Sequence, residues 1–182
     1  MEDVIGVDYT LEIKSDNLEE IRKFVNKFRK KSNCISAIGG NLKVNRGVVE
    51  NFKLDVLSRP YLKRFDSGLN HILSREAAYN NVAIELCFSD ILKSYLSYRS
   101  KIISNFRDIY VLYKKFDFPL ILSSRAESIF DFRTTYDFMT IFNQIGFEYD
   151  AVVVNITARQ GQISLEEVQF LLMSYEIGRA HV

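Results

Sequence analysis

Short apolar runs alternate along this chain with segments whose apolar residues recur at helical spacing. One helical stripe consists of Leu18, Ile21, Val25 and Phe28, and Asp16 with Glu19 three residues later predicts the start of that helix. The alternation is typical of βα units around a parallel sheet. Six strands are predicted, at Val4–Ile13, Cys34–Ile38, Leu54–Leu57, Val82–Cys87, Pro119–Leu122 and Ala151–Ile156.

The remaining helical segments differ in length. The longest is predicted from about Ser89 to Lys114, and its apolar and aromatic stripe is more typical of a core than of a base-stacking platform. The other predictions are a short helix over Asn45–Asn51, a helix ending near Tyr79, one capped by Thr134 or Thr135 and ended by Gly146, and one over Ser164–Ser174.

The composition predicts one globular domain, over residues 1–175. Of 182 residues, 47% are hydrophobic and 26% charged, which is enough to bury a substantial core. Cys34 and Cys87 each lie in an apolar run and are expected to be free thiols. No apolar stretch approaches the roughly 18 residues of a membrane span. The segment MEDVIGVDYT shows no secretory signal, so a cytoplasmic location is expected.

The formal net charge of +1 gives no indication of nucleic-acid binding, for which a basic domain is the usual footprint. The charges are nevertheless clustered, because basic residues crowd residues 22–31 and 59–64 while acids gather elsewhere. On composition alone these runs are interpreted as solvated helix faces.

The chain is poor in residues that carry chemistry. Its only histidines are His71 and His181, which is too few for the multi-metal site of a barrel hydrolase. Asp55 and Glu85 fall near predicted strand ends, where they are expected to fix loops by hydrogen bonds or ion pairs. No nucleophile elbow, CxxC motif or dinucleotide fingerprint is present. We therefore predict no catalytic residue and no metal site in this chain.

Six βα units leave two architectures open, a doubly wound sheet and a barrel. Sequence alone slightly favours the sheet, because a full (β/α)₈ barrel usually takes about 250 residues. A glycine-rich phosphate loop would have strengthened that interpretation, and none is present.

An ordered series of motifs runs along most of the chain. In their order and spacing, these motifs resemble ribonuclease P protein component 3, the archaeal counterpart of the thirty-kilodalton subunit of the eukaryotic enzyme. The resemblance covers roughly residues 8–146 and implies a TIM-like (β/α) barrel, here incomplete, with about six βα units and the first unit or units missing. The motifs are NLEEIRKFVNKFRKK, IGG followed by VNRGVVEN, LDVLSRP, DSGLNHIL, NVAIEL, YKKFDFPLILSS and SIFDFRTTYDF.

The resemblance also implies a function. A ribonuclease P subunit of this kind does no chemistry alone but assists a catalytic RNA in removing the 5′ leader from precursor tRNA. Its implied partners are the ribonuclease P RNA, protein component 2 and, through the holoenzyme, precursor tRNA. Magnesium is expected on the RNA subunit and no cofactor on this chain. Two alternatives stay open: a divergent PHP-type metal-dependent phosphoesterase, and a non-catalytic scaffold that binds only protein.

The resemblance makes several polar residues candidates for a barrel rim. Asp55 and Asp137 are predicted to be structural, and Arg133 with Asp137 is either a local ion pair or part of an RNA contact. For His71 a buried or capping role is favoured over RNA contact. The candidates for RNA binding are Arg46, Arg59, Arg64, His71, Lys115 and Arg133.

Three features depart from the family. Arg125 stands where the family usually has glycine, so the turn is expected either to be distorted or to take an ordinary backbone conformation. The family usually begins with a further βα unit or two, and beyond about Phe147 its usual ending is not matched. Residues 176–182, EIGRAHV, are predicted to be a non-native tail encoded by a sequencing adapter.

Overall fold

A computed structural model describes residues 10–51, 53–131, 133–148 and 153–155. The chain divides into two compact units. The first consists of Met1–Glu85 and Val111–Pro119, and the second of Leu86–Tyr110 and Leu120–Val182. The predicted helix over Ser164–Ser174 and the predicted tail over residues 176–182 lie outside the described residues.

Parallel strands in chain order form the sheet of the first unit. Each strand is joined to the next by a helix, which confirms the predicted α/β class and is the repeat from which (β/α) barrels are built. The strands are β1 (Thr10–Ile13), β2 (Cys34–Ile38), β3 (Val56–Ser58) and β4 (Ala83–Cys87, whose last two residues belong to the second unit). The helices are α1 (Leu18–Phe28), α2 (Leu42–Asn51) and α3 (His71–Tyr79).

The register gives this sheet one apolar face and one face of mixed polarity. Ile13, Ala37, Leu57 and Ile84 share the apolar face and are all buried, because residues in register on parallel strands point the same way. The core is completed by buried apolar residues of the three helices, such as Ile21, Val25, Val48, Leu73 and Ala77. The opposite face carries Glu12, Ser36, Ser58 and Glu85, of which the last three are buried, beside the buried apolar Val56 and Ala83.

The helix starts differ in detail from the predictions. The cap of α1 is Asn17, not Asp16, since the Asn17 side chain accepts a hydrogen bond from the backbone N–H of Glu19 at 3.0 Å. Helix α2 begins at Leu42, three residues before the predicted start. Asn70 caps α3 by accepting from the N–H groups of Ile72 and Leu73.

In the second unit, one predicted long helix is two helices. The backbone of Leu96 has a φ of 46°, in the left-handed region, and this breaks the helix after Lys93. The Arg99 Nε donates to the carbonyls of Ile91 at 3.0 Å and Ser94 at 2.8 Å, which satisfies groups freed by the break. The two helices are α4 (Phe88–Leu92) and α5 (Leu96–Phe116, whose residues from Val111 onward belong to the first unit).

The rest of the second unit packs around phenylalanine rings. Strand β5 (Leu120–Ser123) pairs in parallel with β6 (Val153–Asn155), and α6 (Thr135–Ile145) is capped by Thr134 and ended by Gly146. Ring pairs among Phe88, Phe106, Phe138, Phe142 and Phe147 have centroid separations of 4.9–6.2 Å, within the range of favourable aromatic pairs.

The turn after β5 keeps the conformation that glycine would favour. Arg125 has a φ of 46°, in the left-handed region, so of the two alternatives for this turn the ordinary backbone conformation is the one contradicted. A left-handed conformation costs a non-glycine residue roughly 1–2 kcal/mol.

Candidate functional site

The candidate site lies in the first unit, where the chain leaves the ends of β2 and β3. We call the border of the sheet formed by the carboxyl ends of its parallel strands the strand-end edge, and the border formed by their amino ends the strand-start edge. Two segments meet at the strand-end edge: the turn Gly39–Gly40–Asn41 and the β3–α3 loop, which is residues 59–70. The Gly39 N–H donates to the carbonyl of Ser58 at 2.6 Å, so the two segments are joined where they leave the sheet.

Asn45 on α2 ties the two segments together. Its Oδ1 accepts from the N–H of Gly40, and its Nδ2 donates to the carbonyls of Pro60 and Gly68, each at 2.9 Å. The residue is 0% exposed, and its hydrogen bonds to Pro60 and Gly68 are buried, whereas the one from Gly40 is part-buried. The sequence signal for this role is that Asn45 is a polar residue among apolar ones. Its neighbours Val44, Val48 and Val49 are all buried, and a polar residue buried among them needs hydrogen-bond partners.

Two glycines allow the backbones to approach this closely. A Cβ on Gly68, where φ is 71°, would lie 2.0 Å from the carbonyl oxygen of Pro60. A Cβ on Gly40, where φ is 105°, would lie 2.4 Å from the carbonyl oxygen of Leu62. The β3–α3 loop is therefore held in one conformation by close contacts as well as by hydrogen bonds.

Arg64 is part of the same structure. Its Nε and Nη2 donate to the two carboxylate oxygens of Asp66 at 2.5 and 2.9 Å, and its Nη1 donates to the Gly40 carbonyl at 3.2 Å. The hydrogen bond from Arg64 holds the pKa of Asp66 below its ordinary value, and the same bond raises the pKa of Arg64. Arg64 thus holds the loop while part of its guanidinium group reaches solvent, since its side chain is 22% exposed.

The β3–α3 loop buries most of its apolar residues but not all of them. Tyr61 and Leu69 are buried, whereas Phe65 is 92% exposed and Lys63 is also exposed. Arg59 and Lys63 have φ values of 52° and 57°, a left-handed conformation that is costly outside glycine and is often found at functional sites. The Arg59 N–H donates to the Glu85 carbonyl at 3.1 Å, which anchors the start of the loop to β4.

Two further candidates lie next to this loop in the chain. His71 is exposed as the first residue of α3, and the cap of that helix is Asn70 rather than His71. Arg46 follows Asn45 on α2 and is exposed, with its Nε donating to Glu50 at 2.7 Å. The strand-end edge therefore carries Arg46, Arg59, Arg64 and His71 of the predicted residues.

The remaining predicted residues lie elsewhere. Lys115 is in the last turn of α5, before the segment that pairs with β4 through Ile84 and Pro119, and so belongs to the strand-start edge. Arg133 and Asp137 are in the second unit. Arg133 Nη1 donates to the Phe130 carbonyl at 2.8 Å, and Asp137 exchanges hydrogen bonds with the capping residue Thr134.

Asp55 also lies at the strand-start edge, immediately before β3. It forms a bidentate ion pair with Arg29, in which Nη2 donates at 2.8 Å, and it accepts from the N–H of Ile35 at 2.8 Å. Partial burial raises the pKa of Asp55, but the hydrogen bonds from Arg29 and Ile35 and the Arg29 charge outweigh that effect and lower it overall. The pair joins the end of α1 to the starts of β2 and β3.

A second basic surface was interpreted from sequence as a solvated helix face. Lys23, Lys27, Lys30 and Lys31, which we call the lysine stripe, are all exposed, and in the described part of the chain none of them forms an ion pair. The stripe runs toward the strand-start edge, because α1 ends just before β2 begins. Lysines near a helix C-terminus also interact favourably with the helix dipole.

Comparison with known proteins decides the family. The model of the RNase P subunit p30 family matches residues 9–167. The chain belongs to this family. Ribonuclease P protein component 3 of Methanothermobacter thermautotrophicus is 46% identical over 151 residues, covering 83% of this chain and 62% of the relative. The component 3 of Methanocaldococcus jannaschii is 38% identical over 135 residues, covering 74% and 58%.

A solved structure supports the p30 assignment. A chain in a cryo-EM structure of archaeal ribonuclease P with mature tRNA is 31% identical, with a TM-score of 0.75, over 97% of this chain and 71% of that chain. The chain spans about three fifths of the length of the curated p30 relatives it matches.

Within residues 10–51, 53–131, 133–148 and 153–155, no three His, Cys, Asp or Glu side chains are grouped closely enough to hold a metal ion. Across the same ranges, no helix combines the length and the apolar character needed to cross a membrane.

Proposed function

We propose that this chain is a protein subunit of ribonuclease P, the ribonucleoprotein that removes the 5′ leader from precursor tRNA. One observation carries the proposal: the chain is 46% identical to a ribonuclease P protein component 3 over most of its length. The 31% identity and TM-score of 0.75 to a chain in archaeal ribonuclease P with mature tRNA support it independently.

In this proposal the catalytic RNA carries the magnesium ions and hydrolyses the phosphodiester bond with metal-activated water. The chain binds no cofactor of its own and pairs with protein component 2 in the archaeal cytoplasm. A protein that binds the active RNA conformation more tightly than the inactive one shifts the RNA toward the active form. The protein thereby lowers the magnesium concentration that the RNA needs.

The strand-end edge is the surface we assign to RNA. Between Arg59 and His71 the chain has three cations against one acid, Asp66. Exposed Lys63, His71 and Arg46 are available to phosphate oxygens, and Arg64 can share its partly exposed guanidinium group with them. A loop held rigidly by Asn45 presents these groups with little loss of conformational entropy on binding.

The proposal is tested by reconstituting precursor-tRNA cleavage from the cognate RNA and component 2 at limiting magnesium, with and without this chain. We expect the chain to increase the cleavage rate, and Lys63→Ala to reduce that increase more than Lys53→Ala, an exposed lysine at the strand-start edge. A folded chain that gives no increase would contradict the proposal. Cleavage without any RNA subunit, together with stoichiometric bound metal, would support the phosphoesterase alternative instead.

A further inference from the structure

Phe65 is exposed in a way that the local fold does not require. The β3–α3 loop buries Tyr61 to 2% and Leu69 to 9% exposure, yet holds Phe65 at 92%. Burying a phenylalanine side chain would contribute roughly 1.5–3 kcal/mol of stability, so this exposure forgoes a sizeable gain. Exposed apolar residues are common on protein surfaces, and exposure alone therefore assigns no role.

The second observation is that the loop presenting Phe65 is fixed on both sides of it. Lys63, two residues before Phe65, is held in a left-handed conformation, and Asp66, the residue after it, accepts two hydrogen bonds from Arg64. Gly68 is pinned to Pro60 through Asn45. The backbone at Phe65 is thus ordered before any partner arrives, which leaves only two side-chain torsions to be fixed on binding.

The chemistry around Phe65 favours RNA over protein. Its neighbours in the loop include Lys63, Arg64 and Asp66, whereas the core of a protein interface is usually depleted of charged residues. An exposed ring beside cations is the arrangement that binds single-stranded nucleic acid, because bases stack on the ring and phosphates bind the cations. A phenyl ring can stack on any of the four bases, so this arrangement needs no particular RNA sequence.

We propose that Phe65 stacks on one unpaired base of ribonuclease P RNA while Lys63 binds a neighbouring phosphate. This inference rests on the proposed function, since it takes the RNA of that enzyme as the partner. It adds a stacking contact to a surface otherwise defined by charge. In this proposal the hydrogen bonds of Asn45 hold the loop so that Phe65 has a fixed position at the strand-end edge.

The test compares three substitutions of Phe65 by the affinity for ribonuclease P RNA, measured by filter binding in the presence of component 2. We expect Phe65→Ala to weaken binding by about 5- to 100-fold, the usual range for loss of one stacked base. Phe65→Leu should weaken it nearly as much, because leucine keeps the apolar character but lacks a ring. Phe65→Trp should bind as the wild type does or more tightly.

Salt dependence separates the two parts of the contact. Phe65→Ala should leave the slope of log affinity against log salt unchanged, because stacking releases no counterion. Lys63→Ala should reduce the steepness of that slope by about 0.7, the value for one phosphate of a single strand. Tyr79→Ala is the matched control: Tyr79 is 85% exposed at the far end of α3, and its loss should change neither quantity.

Each outcome has a separate meaning. If the wild-type chain binds no ribonuclease P RNA, the proposed function fails. If the wild type binds and Phe65→Ala binds equally well, stacking is refuted while the function stands. Phe65→Leu with wild-type affinity would likewise overturn stacking, and so would a Phe65→Ala variant that loses component 2 but keeps its affinity for RNA. Urea unfolding should give all Phe65 variants wild-type midpoints, since an exposed side chain contributes little to stability.

Discussion

At the scale of single residues, Asn45 is the side chain that joins three backbone groups at the strand-end edge. Its removal leaves three backbone groups without their side-chain partner: the part-buried N–H of Gly40 and the carbonyls of Pro60 and Gly68, whose bonds to Asn45 are buried. An unsatisfied buried group costs about 1–3 kcal/mol. The role of this residue is therefore structural, although its effect is felt at the proposed RNA surface.

We predict that Asn45→Ala lowers the free energy of unfolding by about 2–4 kcal/mol, because partial relaxation recovers some of the summed cost. Urea unfolding monitored by circular dichroism measures this. The matched control is Asn41→Ala. The Asn41 side chain caps α2 by accepting one hydrogen bond from the N–H of Lys43, and such caps contribute about 1 kcal/mol. Equal losses for the two variants would show that the Asn45 network does not hold the loops.

The ion pair of Asp55 with Arg29 predicts a dependence of stability on pH. The folded state lowers the pKa of Asp55, so the pair contributes stability above the ordinary carboxyl pKa of about 3.9. That contribution is lost as pH falls through the ordinary pKa and then the lower folded one. We predict that Asp55→Asn is less stable than the wild type at pH 7 and that the difference shrinks below about pH 4. Urea midpoints across pH 3–7 measure it, and a difference that stays constant would contradict the prediction.

At the scale of helices and strands, periodicity predicted which elements exist better than where they end. The stripe at Leu18, Ile21 and Val25 predicted α1 because a helix that buries one face must repeat its apolar residues. Its cap was predicted at Asp16, one residue early, because Asp16 and Asn17 are both good caps and only the backbone decides between them. The break between α4 and α5 was missed because Leu96 gives no sign of a left-handed conformation.

The candidate site was less predictable than the elements. A clamp such as Asn45 depends on loops 15 and 23 residues away, which spacing along the chain does not reveal. Arg64 was predicted as an RNA contact from the family resemblance, but its bidentate pairing with Asp66 needs a folded turn. The exposure of Phe65 had no sequence signal at all, since the neighbouring Tyr61 and Leu69 are buried. Sequence placed some candidates near strand ends, and only packing showed which groups the strand-end edge presents.

At the scale of the whole chain, a net charge of +1 means that any attraction to RNA must come from local clusters. The first unit has two such clusters, the lysine stripe near the strand-start edge and the cations of the β3–α3 loop at the strand-end edge. The two clusters lie toward opposite ends of the strands of one sheet, so a single RNA segment is not expected to contact both. Lysines near the end of α1 also have a structural reason to be there, the helix dipole, whereas the exposed Lys63 of the loop is not near a helix C-terminus.

We therefore predict that neutralising the lysine stripe leaves the RNA affinity and its salt slope unchanged, whereas neutralising the loop does not. The double variant Lys27→Gln/Lys31→Gln removes two charges, and Lys63→Gln removes one. If the RNA lies at the strand-end edge, the single variant reduces the steepness of the slope by about 0.7 and the double variant leaves it as it was. Filter binding over a range of salt concentrations decides between them. Each phosphate contact contributes about 0.7 to the slope wherever it lies, because it releases a fixed number of counterions. A slope whose steepness falls by about 1.4 in the double variant alone would therefore show that the RNA binds at α1 instead.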